Sequence, residues 1–158
     1  MKQVLLFFYL LFASTLFAQQ FDNSWIIGYC GCNNNPPIPN DEFGVYIGGF
    51  NNSKLELTDL GNKAVNMNES NTSISDSSGN LLFYCNGERV YNKNHQTMSN
   101  GDGLVTNGNG YGYVQAQSSI IIAKPGESKL YYLLHWEKGY LSNGDVVAKK
   151  LFLNIVDM

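Results

Sequence analysis

The chain is short of charge. Ten Lys and Arg and thirteen Asp and Glu make up 15 % of its residues and leave a formal charge of −3. Nucleic-acid binding needs a concentrated basic footprint, and none is present. Histidine occurs only at His95 and His135, and cysteine only at Cys30, Cys32 and Cys85. Three cysteines are too few for a disulfide framework, and C-G-C with one distant Cys lacks the fourth ligand of a zinc site. At most one bridge can form within the chain. A Cys30–Cys32 ring would be small and strained, which leaves Cys85 as the natural partner of either, as in a Cys30–Cys85 bridge. The competing reading is that Cys85, set in an apolar strand, is a small buried thiol.

Other absences narrow the class. No 3.6-residue apolar periodicity runs long enough for an amphipathic helix. Three of the four prolines fall in NNNPPIPND, residues 33–41, a breaker cluster that excludes helix and central strand. A nucleophile elbow of the G-x-S-x-G kind and a phosphate-binding glycine loop followed by Lys are both missing. The one long apolar run, Val4–Phe17, follows Lys2 and precedes Ala18 in MKQVLLFFYLLFASTLFAQQ. That is the layout of a secretory signal peptide, shorter than the roughly 20 apolar residues of a comfortable membrane span. The expectation is a signal at 1–18, export with no stable membrane insertion after cleavage, and one all-β domain over 19–158. The Asn-x-Ser triplets at Asn68 and Asn71 would carry glycans only in a eukaryotic host.

What is abundant is turn formers and aromatics. Sixteen Gly and twenty Asn accompany ten Tyr and nine Phe, the composition of many short strands with tight connections. Strands are expected at Trp25–Tyr29 and Phe43–Phe50, with a bulge or bend at Gly48-Gly49, while residues 51–56 read as polar. In ISDSSGNLLFYCNGERVYN, residues 74–92, Asp76 and Gly79 take the first and last places of a type I turn. Leu81–Cys85 then has two apolar faces, Leu81/Phe83/Cys85 and Leu82/Tyr84, as expected of a strand covered on both sides. Asn86-Gly87 predicts a two-residue type I′ hairpin into Glu88–Asn92, so the segment reads as three meandering strands. Further on, SIIIA (119–123) and LYYLLHW (130–136) flank Lys124-Pro125-Gly126-Glu127, a type II turn with Pro125 and Gly126 in the required positions. Ser142-Asn143-Gly144-Asp145 is another turn, and LFLNIVDM a final strand.

Strand–turn–strand units with doubly buried inner strands predict antiparallel meander blades of an incomplete β-propeller, or alternatively a β-sandwich. A blade takes about 40–45 residues and a ring at least about four blades. The mature chain has room for roughly three, as expected of the amino-terminal part of a longer protein.

SISDSSGNLLFYCNGERVYN followed by HQTMSNGDGL resembles the amino-terminal regions of large secreted proteins of Bacteroidetes. Looser matches are WIIGY, SSIIIAKPGESKLYYLLH and LFLNIVDM. Those proteins typically carry a type IX secretion sorting domain or a gliding-motility-associated domain at the carboxyl end. The resemblance implies an opening set of propeller strands at the cell exterior, with further blades to follow, and no catalytic residues.

Among chemistry-bearing residues, His95 and His135 read as structural, since neither has further metal ligands at useful spacing. Asp76, Asp102 and Asp145 sit in turns with too few carboxylates for a calcium loop. Glu137 and Asp145 can be nominated as the carboxyl pair for glycoside hydrolysis. Tyr111–Tyr113 and the run Tyr131, Tyr132, Trp136 and Tyr140 are candidates for a sugar-stacking platform, against the simpler reading of cross-strand aromatic packing. The expectation is a secreted, non-catalytic interaction or adhesion module without cofactor, its partner an unidentified protein or glycan. The rivals are a carbohydrate-binding module and a glycan-processing enzyme.

Overall fold

Alternating burial in SWIIG, with Ser24 and Ile26 buried and Trp25 and Ile27 exposed, marks a strand with one face toward a core. The computed structural model describes residues 21–28, 45–51, 54–61, 65–106, 108 and 112–158. Within them are nine strands: β1 Ser24–Gly28, β2 Val45–Asn51, β3 Lys54–Asp59, β4 Thr72–Ser75, β5 Leu81–Cys85, β6 Val90–Asn92, β7 Ser119–Ala123, β8 Leu130–Tyr140 and β9 Val146–Asp157. They form three antiparallel meanders, β1-β2-β3, β4-β5-β6 and β7-β8-β9. The fold is all-β, in three sheets of three strands. Among the described residues no helix is long and apolar enough to cross a membrane.

The sheets stack through their first strands, β1 beside β4 and β4 beside β7. Serines stitch the first seam. Ser24 N donates to Ser75 Oγ at 3.0 Å, Ser24 Oγ to the Gly79 carbonyl at 2.9 Å, and Ser73 Oγ to the Ser24 carbonyl at 2.9 Å. At the second seam Ser118 Oγ donates to Ser70 Oγ at 2.5 Å, and Ser70 Oγ lies 3.3 Å from Ser119 Oγ. Buried hydroxyls satisfied in this way avoid the desolvation penalty of an unpaired polar group.

Two apolar clusters fill the space between sheets. Ile26 and Val45 of the first sheet meet Leu60, Met67, Leu81, Tyr84 and Tyr91. Ile74, Phe83, Cys85 and Val90 meet Ile121, Tyr131 and Leu133 of the third sheet, with Phe83 and Tyr131 edge to face at 5.3 Å. The middle sheet is therefore covered on both faces, as the apolar run LLFYC requires.

Its faces are not those of simple alternation. Ile74 pairs with Phe83 and Ser75 with Leu81, so Leu82 is an extra residue on β5. This β-bulge flips the residues before it. Leu81 joins Tyr84 in the first cluster, and Leu82 packs with Phe83 and Cys85 on the second, correcting the expected Leu81/Phe83/Cys85 and Leu82/Tyr84 division.

The turns also differ in detail. Asp76–Gly79 closes as expected, with Gly79 N donating to the Asp76 carbonyl at 2.9 Å. Asp76 Oδ1 also accepts from the Ser78 and Asn80 amides at 2.8 and 2.9 Å. Pro125 and Gly126 form the expected turn, with Glu127 N bonded to the Lys124 carbonyl and Gly126 at φ 81°. The β8–β9 turn closes one residue earlier than expected, from Leu141 to Gly144. Asn86-Gly87 is not a two-residue type I′ turn. Cys85 pairs with Val90, so the connection has four residues, and only Gly87 of the Asn-Gly pair has positive φ, at 82°.

Two further expectations fail in the first sheet. No bulge occurs at Gly48-Gly49, where pairing stays regular. Gly48 instead makes room, since a Cβ there would stand 3.2 Å from Leu55 Cδ1. The stretch read as polar, 51–56, overlaps the first half of β3, a strand exposed along its whole length, in which only Leu55 and Leu57 signal a face. Residues 29–44, including Cys30, Cys32 and NNNPPIPND, lie outside the described residues.

Candidate binding cleft

A cleft of about 540 Å³ opens where the far end of β8-β9 meets Val105, Thr106, Gly108, Tyr113 and Val114. The length of β8 creates it. Beyond Trp136 a bulge shifts the pairing, from Glu137 opposite Lys150 to Lys138 opposite Ala148, and the hairpin continues to Tyr140 and Val146. Glu137, Lys138, Lys149 and Lys150 line the cleft at this end of the hairpin.

Tyr113 anchors the cleft. Its amide donates to the Asn86 carbonyl at 2.9 Å, and its carbonyl accepts from Ser70 N at 3.1 Å. Its hydroxyl accepts from Lys138 N at 2.6 Å, and its ring lies edge-on to Trp136 at 6.2 Å. Tyr113 is itself buried. Asn86 fixes the other side, accepting from the Glu88 and Arg89 amides at 3.0 and 2.8 Å and donating through Nδ2 to the Asn66 carbonyl at 2.8 Å. Gly87 allows the two segments to approach, since a Cβ there would stand 2.6 Å from Tyr113 Cβ.

The charged groups of the cleft are held by neighbours. Glu137 Oε1 accepts from Thr106 N at 3.0 Å. The hydrogen bonds from Thr106, with Lys150 and Lys149 nearby, keep its carboxyl below the usual range. The Lys138 ammonium lies 5.7 Å from the ring centre of Tyr113 and 5.9 Å from that of Tyr140, within cation–π range of both. Tyr140 is 65 % exposed. Glu88 is buried on the cleft's inner side, beside Gly108. A smaller recess next to it holds the Arg89–Asp102 ion pair at 2.8 Å, and the hydrogen bond from Arg89 lowers the Asp102 carboxyl.

Of the expected aromatic residues, Tyr113 and Tyr140 line this cleft, and Tyr111 lies outside the described residues. Tyr131 is buried against Phe83, and Trp136 packs on Tyr113. Tyr132 pairs with Ile122 and Ile155 on the outer face of its sheet. Alternation puts Tyr131 on the buried face of β8, opposite Tyr132, Trp136 and Tyr140, so the four do not form one platform. Glu137 lines the cleft, whereas the Asp145 carboxylate is taken up in its own turn by Asn143 Nδ2 at 2.7 Å.

The remaining candidates serve the fold. His95 adopts φ 65° in the turn after β6, and its Nδ1 lies 3.1 Å from the Tyr84 hydroxyl, whose pKa burial raises. His135 is buried and stacked on Phe152 at 4.9 Å. Burial lowers its pKa, and its Nδ1 has no hydrogen-bond partner among the described residues. Cys85 carries a free, buried thiol, pushed up to about 11 by burial although the Gly87 amide and Ser119 favour the thiolate. Asp76 is held below the ordinary carboxylate range, first by the Asn80 side chain and then by backbone amides. Among the described residues no group of three or more His, Cys, Asp or Glu is placed to hold a metal ion.

Sequence reasoning missed Tyr113, Lys138 and Glu88 as one group. They lie in different turns and strands, and no local motif joins them. Compared with known proteins, the chain matches no family, no curated protein and no solved structure.

Proposed function

We propose that the chain is a non-catalytic, propeller-type module, exported from the cell, that holds a glycan at the cell exterior. The observation that carries the ligand class is the exposed Tyr140 ring at a cleft with Glu137 and Lys138 beside it. A sugar ring presents C–H groups that pack on an aromatic face and hydroxyls that bond to carboxylate and ammonium groups. The propeller-type reading is supported by meander sheets stacked through their first strands around a doubly covered middle sheet. A typical blade has four strands, and the middle sheet has the start of a fourth, where Thr97 bridges Tyr91 and Met98 N bonds to the Val90 carbonyl. Export is supported by the signal-like first 18 residues, and a role in adhesion or gliding by the resemblance carried by residues 74–104.

A glycan array probed with the protein is expected to give a defined set of hits. Tyr140→Ala should weaken them about tenfold or more, the effect of losing about 1.4 kcal/mol. An array without hits would exclude the glycan. Turnover of model glycosides that is lost in Glu137→Gln would replace binding with catalysis, with Glu88 as the second carboxyl group lining the cleft.

A further inference from the structure

The cleft differs in charge from the chain that carries it. Lys138, Lys149 and Lys150 line it against Glu88 and Glu137, three cations to two carboxylates, for a local charge of +1 in a chain of −3. The count understates the difference, because Glu88 is buried and Glu137 is already held by the Thr106 amide. None of the three lysines is in an ion pair among the described residues, where the ion pairs are Arg89–Asp102 and Lys124–Glu127.

The backbone brings these lysines together. Adjacent strand residues ordinarily face opposite sides of a sheet. Glu137 pairs with Lys150 and Lys138 with Ala148, so Lys149 is the extra residue of a β-bulge on β9. Lys149 and Lys150 both line the cleft, the kind of re-aiming that bulges supply next to sites. Packing then holds two of the side chains. A Cβ at Gly139 would stand 3.0 Å from Lys149 Cβ and 3.1 Å from its Cδ, so a side chain there would push the Lys149 stem aside. The Lys138 ammonium lies over the rings of Tyr113 and Tyr140. A cation held by stems and rings keeps its charge uncompensated, and it loses less freedom when an anion arrives.

We propose that the sugar held here is acidic, its carboxylate or sulfate bound by Lys138 and Lys149 while its ring packs on Tyr140. The inference rests on the glycan reading of the cleft and adds to it the charge of the ligand. An ammonium only donates hydrogen bonds, and a carboxylate or sulfate only accepts them, so the two match without remainder. The hydroxyls of a neutral sugar would also need acceptors, and the two carboxylates that could serve are the buried Glu88 and the Thr106-bound Glu137.

The test presents the processed product of the full chain with uronate-bearing and sulfated oligosaccharides, each beside its carboxyl-reduced or desulfated counterpart, in about 0.15 M salt to screen diffuse attraction. The hits are expected among the acidic members, with the neutral counterparts bound about tenfold or more weakly, as loss of charge-assisted hydrogen bonds requires. Whether uronates or sulfates are retained identifies the anionic group. On the best hit, Lys138→Gln and Lys149→Gln should each weaken binding about fivefold or more in calorimetry. Lys54→Gln, exposed on β3, should leave it unchanged. Equal binding of acidic and neutral partners overturns the acidic ligand and leaves the glycan reading standing. Equal losses in all three variants overturn the site, since the attraction would then be diffuse. No binding of any sugar overturns the glycan reading and this inference with it.

Discussion

The middle sheet and the two that flank it are built from the same strand–turn–strand units and differ in what covers them. β5 is buried on both faces, with Phe83, Tyr84 and Cys85 inaccessible to solvent. β3 and β9 each carry leucines 51–72 % exposed. Burial, more than composition, separates these strands, since LFLNIV is apolar at every position but Asn154 and LLFYC at every position. An apolar strand is stabilising only where a second surface removes it from water. The middle sheet has that surface within the chain, and the end sheets have it on one side only.

The comparison is sharpened most by paired truncations. Phe83→Ala removes a fully buried ring and should cost about 3–5 kcal/mol in urea unfolding. Leu57→Ala, measured where the chain is monomeric, should stay within about 0.5 kcal/mol. Similar losses at the two sites would mean that the first sheet's outer face is covered within the chain. Next in size is Gly87→Ala, which meets both a positive φ and Tyr113 Cβ. It should cost about 1–3 kcal/mol and weaken ligand binding in the cleft. The same change at Gly144, where φ is 90° with open space around it, should cost less. A reversed order would show that backbone conformation outweighs the approach of the two segments.

The smallest effect is a pH dependence on the inner face of the third sheet. Burial holds the folded-state pKa of His135 below its ordinary value of 6.5. The unfolded chain therefore takes up the proton first. The stabilisation is complete above about pH 6.5 and is lost as pH falls through that value toward the folded-state pKa. His135→Phe keeps a ring against Phe152 and should flatten stability between pH 7 and 5. An unchanged slope would locate the titration elsewhere.

Much of the fold is legible in local sequence because local chemistry sets it. Asp76 and Gly79 close a turn through bonds within five residues, and Pro125-Gly126 fits its turn by backbone preference alone. SIIIA and LLFYC form strands at the boundaries expected of them. Where the reading fails, distant residues decide. The faces of β5 depend on a bulge against Ser75, and β3 has too few apolar residues to show itself without β2. The Asn86-Gly87 pair is a connection of four residues because Asn86 also has to satisfy Asn66, Glu88, Arg89 and Tyr113.

The candidate cleft was legible only in part. Glu137 and Tyr140 stand out as a carboxylate and an aromatic near the end of an apolar strand, but nothing in their neighbourhood brings in Tyr113, 24 residues before Glu137. The sequence alone determined an all-β chain of short strands and tight turns, since alternation, Gly, Asn and Pro act through dihedral preferences of single residues. Tertiary structure decided which apolar faces meet, where the serine seams run, and that a cleft opens beside β8-β9. These depend on contacts between residues far apart in the chain, where packing and desolvation outweigh any local preference.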